Sequence, residues 1–305
     1  MQSRLITNLF LLLLVIVLGT FLFIDEVDQN GTKKLSPVSA DSINQISIHH
    51  QQREILLNKS AQQWLLVKPI EISANQFRIK TLLNLLSTDS IAQYNTDDLE
   101  LNKFDFNTTD THISFNNTKI SFGMTNPMNN LRYVEINNKL HLINDHFYPL
   151  LSSQIGTLIA RELLANSTNI IKMILPEQTL TRDQNKLWRS TDDISSDAIV
   201  ETIYQWTHKQ AFSVHDYVER ESLGEIQVYF ENLEQPIKFT ITDIEPWLII
   251  ARPDLKLEYH FNLEDYDALL RPGIVKPLND EARKESDVES IQVSPDEFMN
   301  AIQPQ

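Results

Sequence analysis

The sequence predicts an α+β fold, mostly antiparallel, in two similar β modules, each with a packed helix and a closing helix, preceded by one transmembrane helix. Three observations predict it. One order of elements runs twice along the chain, Asn-rich turns separate alternating apolar runs, and an apolar N-terminal stretch is long enough to cross a bilayer. The expected division is a membrane anchor over residues 1–24, a linker over 25–41, a first module over 42–165, a second over 166–276 that repeats the first, and an acidic flexible tail over 277–305.

The anchor comes first. Leu5 to Ile24 is interrupted only by Thr7, Asn8, Gly19 and Thr20, and at ~1.5 Å per residue about 20 residues span a ~30 Å hydrocarbon layer. A cleaved signal peptide would have a shorter apolar region ending in a small-x-small site. Here Phe21-Leu22-Phe23-Ile24 runs directly into Asp25 and Glu26, which favours an uncleaved anchor. Charge alone orients it weakly: Arg4 precedes the span, whereas Lys33 and Lys34 follow it and acids count little. Residues 25 to 41, with Gly31 and Pro37, read as a tether.

The first module begins with Ile46 and Ile48 alternating as in a half-buried strand. Ile55 and Leu57 follow, and then Trp64-Leu65-Leu66-Val67 leading to Pro69. Ser73-Ala74-Asn75-Gln76 has the S-x-x-Q form of a capping box. Behind it Ile79, Leu82, Leu83 and Leu86 form one apolar stripe. In the second module Ile171, Met173 and Leu175 alternate, Leu180 follows, and Leu187-Trp188 takes the place of Trp64. Ser195 or Ser196 caps the second helix, with Ile199, Val200, Ile203 and Trp206 as its stripe.

Hairpins fill the rest of each module. Ile113–Phe115 and Thr118–Phe122 flank Asn116-Asn117, while Tyr133–Ile136 and Lys139–Ile143 flank Asn137-Asn138. Such loops need positive φ, which Asn tolerates better than most residues, and there are only 6 Gly in 305 residues. The matching runs are Ile226–Phe230, Ile237–Ile241, Trp247–Ala251 and Leu257–Phe261. Phe147-Tyr148-Pro149-Leu150-Leu151 and Tyr266-Asp267-Ala268-Leu269-Leu270 read as the closing helices.

Composition is that of a folded protein, 42% hydrophobic and 22% charged. A net charge of -15 argues against nucleic acid as a partner, because phosphate binding needs a positive field. With no cysteine, disulfide frameworks, thiolate nucleophiles and Cys-ligated metal centres are excluded.

Chemistry is sparse. His49 and His50 are adjacent in a strand and point to opposite faces, so they cannot easily share an ion. His141 and His146 straddle a strand end, and His215 and His260 are isolated, so no metal site is expected. The acid pairs Asp97-Asp98, Asp192-Asp193 and Glu264-Asp265 fall in loops or helix starts. There is no phosphate-cradling Gly-rich loop and no G-x-S-x-G elbow. The expectation is therefore no catalytic residue, no cofactor and no metal. One loop stands out as a protein-contact surface: Met124, Asn126, Pro127, Met128, Arg132 and Tyr133, residue types favoured in interface cores or in turns.

The N-terminal span, the Trp64 strand running into Pro69, the helix with Leu82, Leu83 and Leu86, and the run Phe122-Gly123, Pro127, Arg132-Tyr133-Val134, His141-Leu142-Ile143, Asp145 and Tyr148-Pro149-Leu150 carry a resemblance. Over roughly residues 1 to 275 the chain resembles the bacterial family called domain of unknown function 4340 (DUF4340). It departs at Asp105, where a turn Gly is expected. The resemblance implies a bacterial inner-membrane protein, N-terminus cytoplasmic and bulk periplasmic, among relatives that look like accessory components of ABC-type export systems. It supplies no catalytic residues.

The function expected is that of a non-enzymatic, single-pass membrane protein whose duplicated periplasmic body is a scaffold or accessory subunit with a protein partner in the cell envelope. The alternative is a binding module for a small ligand or envelope glycan in the cleft between modules. Exposed Trp206, Trp247 or Tyr133 around that cleft would favour the alternative, and Trp residues packed in the core would count against it. A cell-envelope enzyme would need a buried carboxylate or His pair in one cleft.

Overall fold

A computed structural model describes residues 33–165 and 169–274, and the expected anchor and acidic tail lie outside them. Among the described residues no helix is long and apolar enough to cross a membrane. The first module contains β1 (Lys33–Lys34), β2 (Gln45–His50), β3 (Arg53–Ser60), β4 (Gln63–Lys68), β5 (Ile72–Ser73), α1 (Gln76–Leu83), β6 (Asp89–Ser90), β7 (Ala92–Asn95), α2 (Phe106–Thr109), β8 (Thr111–Phe115), β9 (Thr118–Thr125), β10 (Arg132–Ile136), β11 (Lys139–Ile143) and α3 (Tyr148–Ser152). The second contains β12 (Ile170–Ile174), β13 (Thr179–Arg182), β14 (Trp188–Ser190), α4 (Ser196–His208), β15 (Ser213–Asp216), β16 (Gly224–Phe230), β17 (Ile237–Asp243), β18 (Trp247–Arg252), β19 (Leu257–Asn262) and α5 (Asp265–Leu270).

The sheets are mostly antiparallel and follow one path. The first has the order β5-β4-β3-β2-β8-β9-β10-β11-β7 and the second β14-β13-β12-β16-β17-β18-β19-β15. In each, three strands run outward from the centre and a helix carries the chain across the sheet to the far edge. A short strand lies there, and the chain returns to pair beside its own first strand. Within these two sheets only β5 lacks a counterpart, and β1 and β6 pair separately as a two-stranded sheet of the first module alone. Period-2 burial drives this: Ile46, Ile48, Ile113, Phe115, Ile120 and Phe122 are buried, whereas Ser47, His49, His112 and Ser114 sit on the outer face. The apolar residues of both modules join one core.

The turns follow the Asn rule. Asn116, Asn137 and Asn138 have positive φ. Asp105, in place of the expected Gly, adopts φ 63, so it takes up the left-handed conformation that Gly would have supplied.

Four local expectations are corrected. The first helix is capped by Asn75, whose side chain accepts from Arg78 N–H, not by Ser73, which lies in β5. Gln76 instead clamps the strand, accepting from Trp64 N–H and donating to Trp64 C=O. In α4, which Ser195 does cap, the buried stripe is Ile199, Thr202 and Trp206, and Val200 is 49% exposed. Residues 33–41, assigned to the tether, are docked. Leu35 and Ser36 are buried, and their N–H groups bond Thr88 and Leu86 carbonyls.

The fourth correction concerns the boundary near residue 165. The segment 155–164 belongs to both modules. Asn75 N–H bonds Leu158 C=O and Ala160 N–H bonds Ser73 C=O on one side. On the other, Leu164 N–H bonds Trp206 C=O and Ala211 N–H bonds Arg161 C=O. Leu158, Ile159, Leu163 and Leu164 are buried within the common core. Gly156 lies against β15 so closely that a Cβ there would fall under 3.0 Å from the Val214 carbonyl. The two sheets are therefore stitched by backbone, which a flexible linker could not do.

Candidate functional site

A large concavity lies along this seam. It encloses about 1360 Å³ and is lined from the first module by Phe77 and Arg78 on α1, from the connector by Gly156, Arg161 and Glu162, and from the second module by His208, Gln210, Phe212 and His215. Phe77 and Phe212 are exposed at its walls. Its floor is fixed by a polar ladder, in which Gln210 donates to Glu162 Oε1 at 2.8 Å and accepts from the Arg161 guanidinium. Glu162 and Gln210 are also bridged through their backbones, which ties the connector to the second-module wall.

The wall from the second module carries a histidine chain. His215 Nε2 lies 2.9 Å from Ser213 Oγ, and the His215 and His260 rings meet edge-on at 4.8 Å. His260 Nε2 bonds Glu258 Oε1 at 2.8 Å, and Arg220 Nη1 donates to Glu258 Oε2 at 2.7 Å. Burial pushes the Glu258 carboxyl up. Hydrogen bonds from Arg220, Val218 N–H and His260 outweigh it and leave it below the usual range. The carboxylate is thus committed to Arg220 and His260, and it orients His260, not the His215 that faces Ser213. Trp247, 45% exposed, packs edge-on against Phe212 at 5.1 Å, whereas Trp206 is fully buried and donates to Leu269 C=O at 2.6 Å.

The loop expected to contact a protein divides. Met128 is 92% exposed and Pro127 is exposed, with Met124 and Asn126 half-buried. Arg132 is buried and structural: Nε donates to Asp145 at 2.5 Å, Nη1 donates to Gly123 C=O at 2.6 Å, and the guanidinium lies 3.8 Å over the Tyr148 ring. Asp145 in turn accepts from Tyr148 N–H. Tyr133 is half-buried against Phe104 at 4.7 Å. Gly123 is required by the close approach of Phe104 C=O and the Phe106 ring. The residues that carry the family resemblance here build a latch between a hairpin and α3, and so speak to fold and not to a surface.

Among the described residues one group could hold a metal ion, His49, Asp110 and His112, on the outer face of the first sheet. His49 and His50 do diverge as expected. The partner of His49 is His112, directly opposite on β8. A cross-strand pair 63 positions apart leaves no spacing signature, and only knowledge of the β2–β8 register could have found it. His141 is buried and bonds Ser90 Oγ at 2.8 Å, away from His146.

The chain matches no protein-family model, no curated protein and no solved structure.

Proposed function

We propose that the chain is a non-enzymatic, single-pass protein of a bacterial inner membrane, anchored by residues 5–24. Its two-module body then works outside the cytoplasm as a scaffold or accessory subunit, in the manner of the DUF4340 family and beside an ABC-type export system. One observation carries the scaffold reading: the connector 155–164 bonds by backbone to both modules, the arrangement expected of one body of fixed shape. A protein that closes on a small ligand needs a hinge that absorbs backbone rotation. A protein that holds a partner at a set position gains from having none, since less ordering is required on binding. Like topology in the two sheets supports an origin by duplication.

The experiment is gentle detergent extraction of the full chain followed by pull-down and mass spectrometry. Recovery of one envelope protein at stoichiometric level supports the proposal, and recovery of the chain alone counts against it. A second reading, a ligand or glycan held in the cleft, is favoured by exposed Phe77, Phe212 and Trp247 near its walls. Glycan-array binding that is lost in Phe212→Ala would promote it over the first.

A further inference from the structure

We propose that His49, His112 and Asp110 form a binding site for one divalent transition-metal ion on the outer face of the first sheet. The site is independent of the cleft.

The backbone builds it. β2 and β8 pair antiparallel with His49 opposite His112, so both rings leave the same face of the sheet. Asp110 sits one residue before β8 in a left-handed conformation, φ 34. That turn is pinned, because Asp110 N–H bonds Phe106 C=O while its own carbonyl accepts from Gln51 N–H just past β2. The carboxylate is thereby delivered to the end of the His pair.

The distances suit a metal. Asp110 Oδ2 lies 3.2 Å from His49 Nε2, and the three donor atoms all fall within 4.8 Å of one another. Tetrahedral ligands at ~2.0–2.2 Å from zinc are about 3.3–3.6 Å apart. The His49–Asp110 edge therefore already has ligand spacing. The His49 and His112 rings stack at 4.7 Å and 17°. The His112 nitrogen, within 4.8 Å of the other two donors, is the ligand that has to move in to complete the site.

The chemistry selects the ion. Two imidazoles and a carboxylate suit Zn²⁺, Ni²⁺ or Cu²⁺, whereas Mg²⁺ and Ca²⁺ prefer all-oxygen sites. A metal binds imidazole in its neutral form, so loading at this site is expected to weaken as pH falls. All three side chains are at least partly open to solvent, which gives an entry path and leaves the fourth position to water.

The test uses the full-length chain without a histidine tag, extracted in detergent and stripped with chelator. Zn²⁺ is titrated by calorimetry, and Co²⁺ is added for its visible d–d bands. The expected result is one ion per chain, tetrahedral Co²⁺ bands, and at least about a tenfold loss of affinity in each of His49→Ala, His112→Ala and Asp110→Asn. Asp110→Asn keeps the turn because Asn tolerates left-handed φ, so its loss of metal cannot be assigned to misfolding. His215→Ala is expected to bind normally. Absence of Zn²⁺ binding up to millimolar concentration overturns the proposal. So does binding that survives His49→Ala with His112→Ala, or that disappears in His215→Ala.

Discussion

The two modules follow one path and lock it with different residues. In the first, the end of the closing helix α3 is held by Arg53, which donates to Leu151 C=O at 2.6 Å and to Ser153 C=O. In the second, a carbonyl near the same end of α5, that of Leu269, is taken by the indole of Trp206 from α4. The start of α3 is fixed by Arg132 and Asp145, and the start of α5 by Lys209 reaching Asp265 at 2.5 Å. The shared path follows from alternating apolar residues and turns. The polar locks are local solutions to one requirement, that buried helix-end groups find partners. Apolar pattern is what two such modules must have in common, and polar anchoring is free to diverge.

The largest break in this comparison is expected at the two close-approach glycines. Gly156→Ala places a methyl against the Val214 backbone, and Gly123→Ala places one against Phe104 C=O. Each is expected to destabilise by about 3 kcal/mol. In urea unfolding followed by tryptophan fluorescence, Gly156→Ala should split one transition into two by uncoupling the modules. Gly123→Ala should only move the first module's share. Identical single transitions in both variants would refute the seam.

Removing a lock comes next. Arg132→Ala leaves the half-buried Asp145 without its cation and is expected to cost roughly 3 kcal/mol. Lys209→Ala also strands a buried acid, Asp265, but the ammonium it removes is more exposed and less constrained, so it should cost less, about 2 kcal/mol. Chemical denaturation of both variants checks the order, and equal losses would sink the claim that burial of the lock decides its strength.

Acid should separate the modules as well. In the first, burial pushes His141, His50 and His112 below their ordinary value of 6.5. A lowered folded pKa contributes stability above the unfolded value that is lost as pH falls through the folded one. The first module therefore weakens below about pH 6.5. In the second, the net-lowered Glu258 gives a contribution present above its ordinary 4.5 and lost below it. Thermal melts of His141→Gln between pH 7 and 5 should show a flatter pH dependence than the parent, with Glu258→Gln differing only at lower pH. The smallest effect is at the caps: Asn75→Ala and Ser195→Ala should each cost about 1 kcal/mol, read by the same melts.

Much of the fold was legible because it rests on local signals. Asn137-Asn138 between two alternating runs announces a hairpin, and Ile79 with Leu82 announces a helix face. The edge strands β7 and β15 were not legible. Ala92-Gln93-Tyr94-Asn95 pairs on one side only and buries too little to leave a pattern. The connector was hidden for a different reason, since its hydrogen bonds are made by backbone, whose partners no side chain reports. The candidate sites were least legible. Arg132 reads as a surface charge until Asp145 and Tyr148 close over it, and His49 reads as solitary until register sets it beside His112.

Rigidity across the seam is the property on which the scaffold reading stands. The chain has no cysteine, so Tyr94→Cys on edge strand β7 with Val200→Cys on α4 places one spin label at an exposed position of each module. Double electron–electron resonance on the full-length protein should then give a single narrow distance, unchanged by temperature or by added ligand. A broad or two-peaked distribution would mean that the modules move independently and would contradict a body of fixed shape.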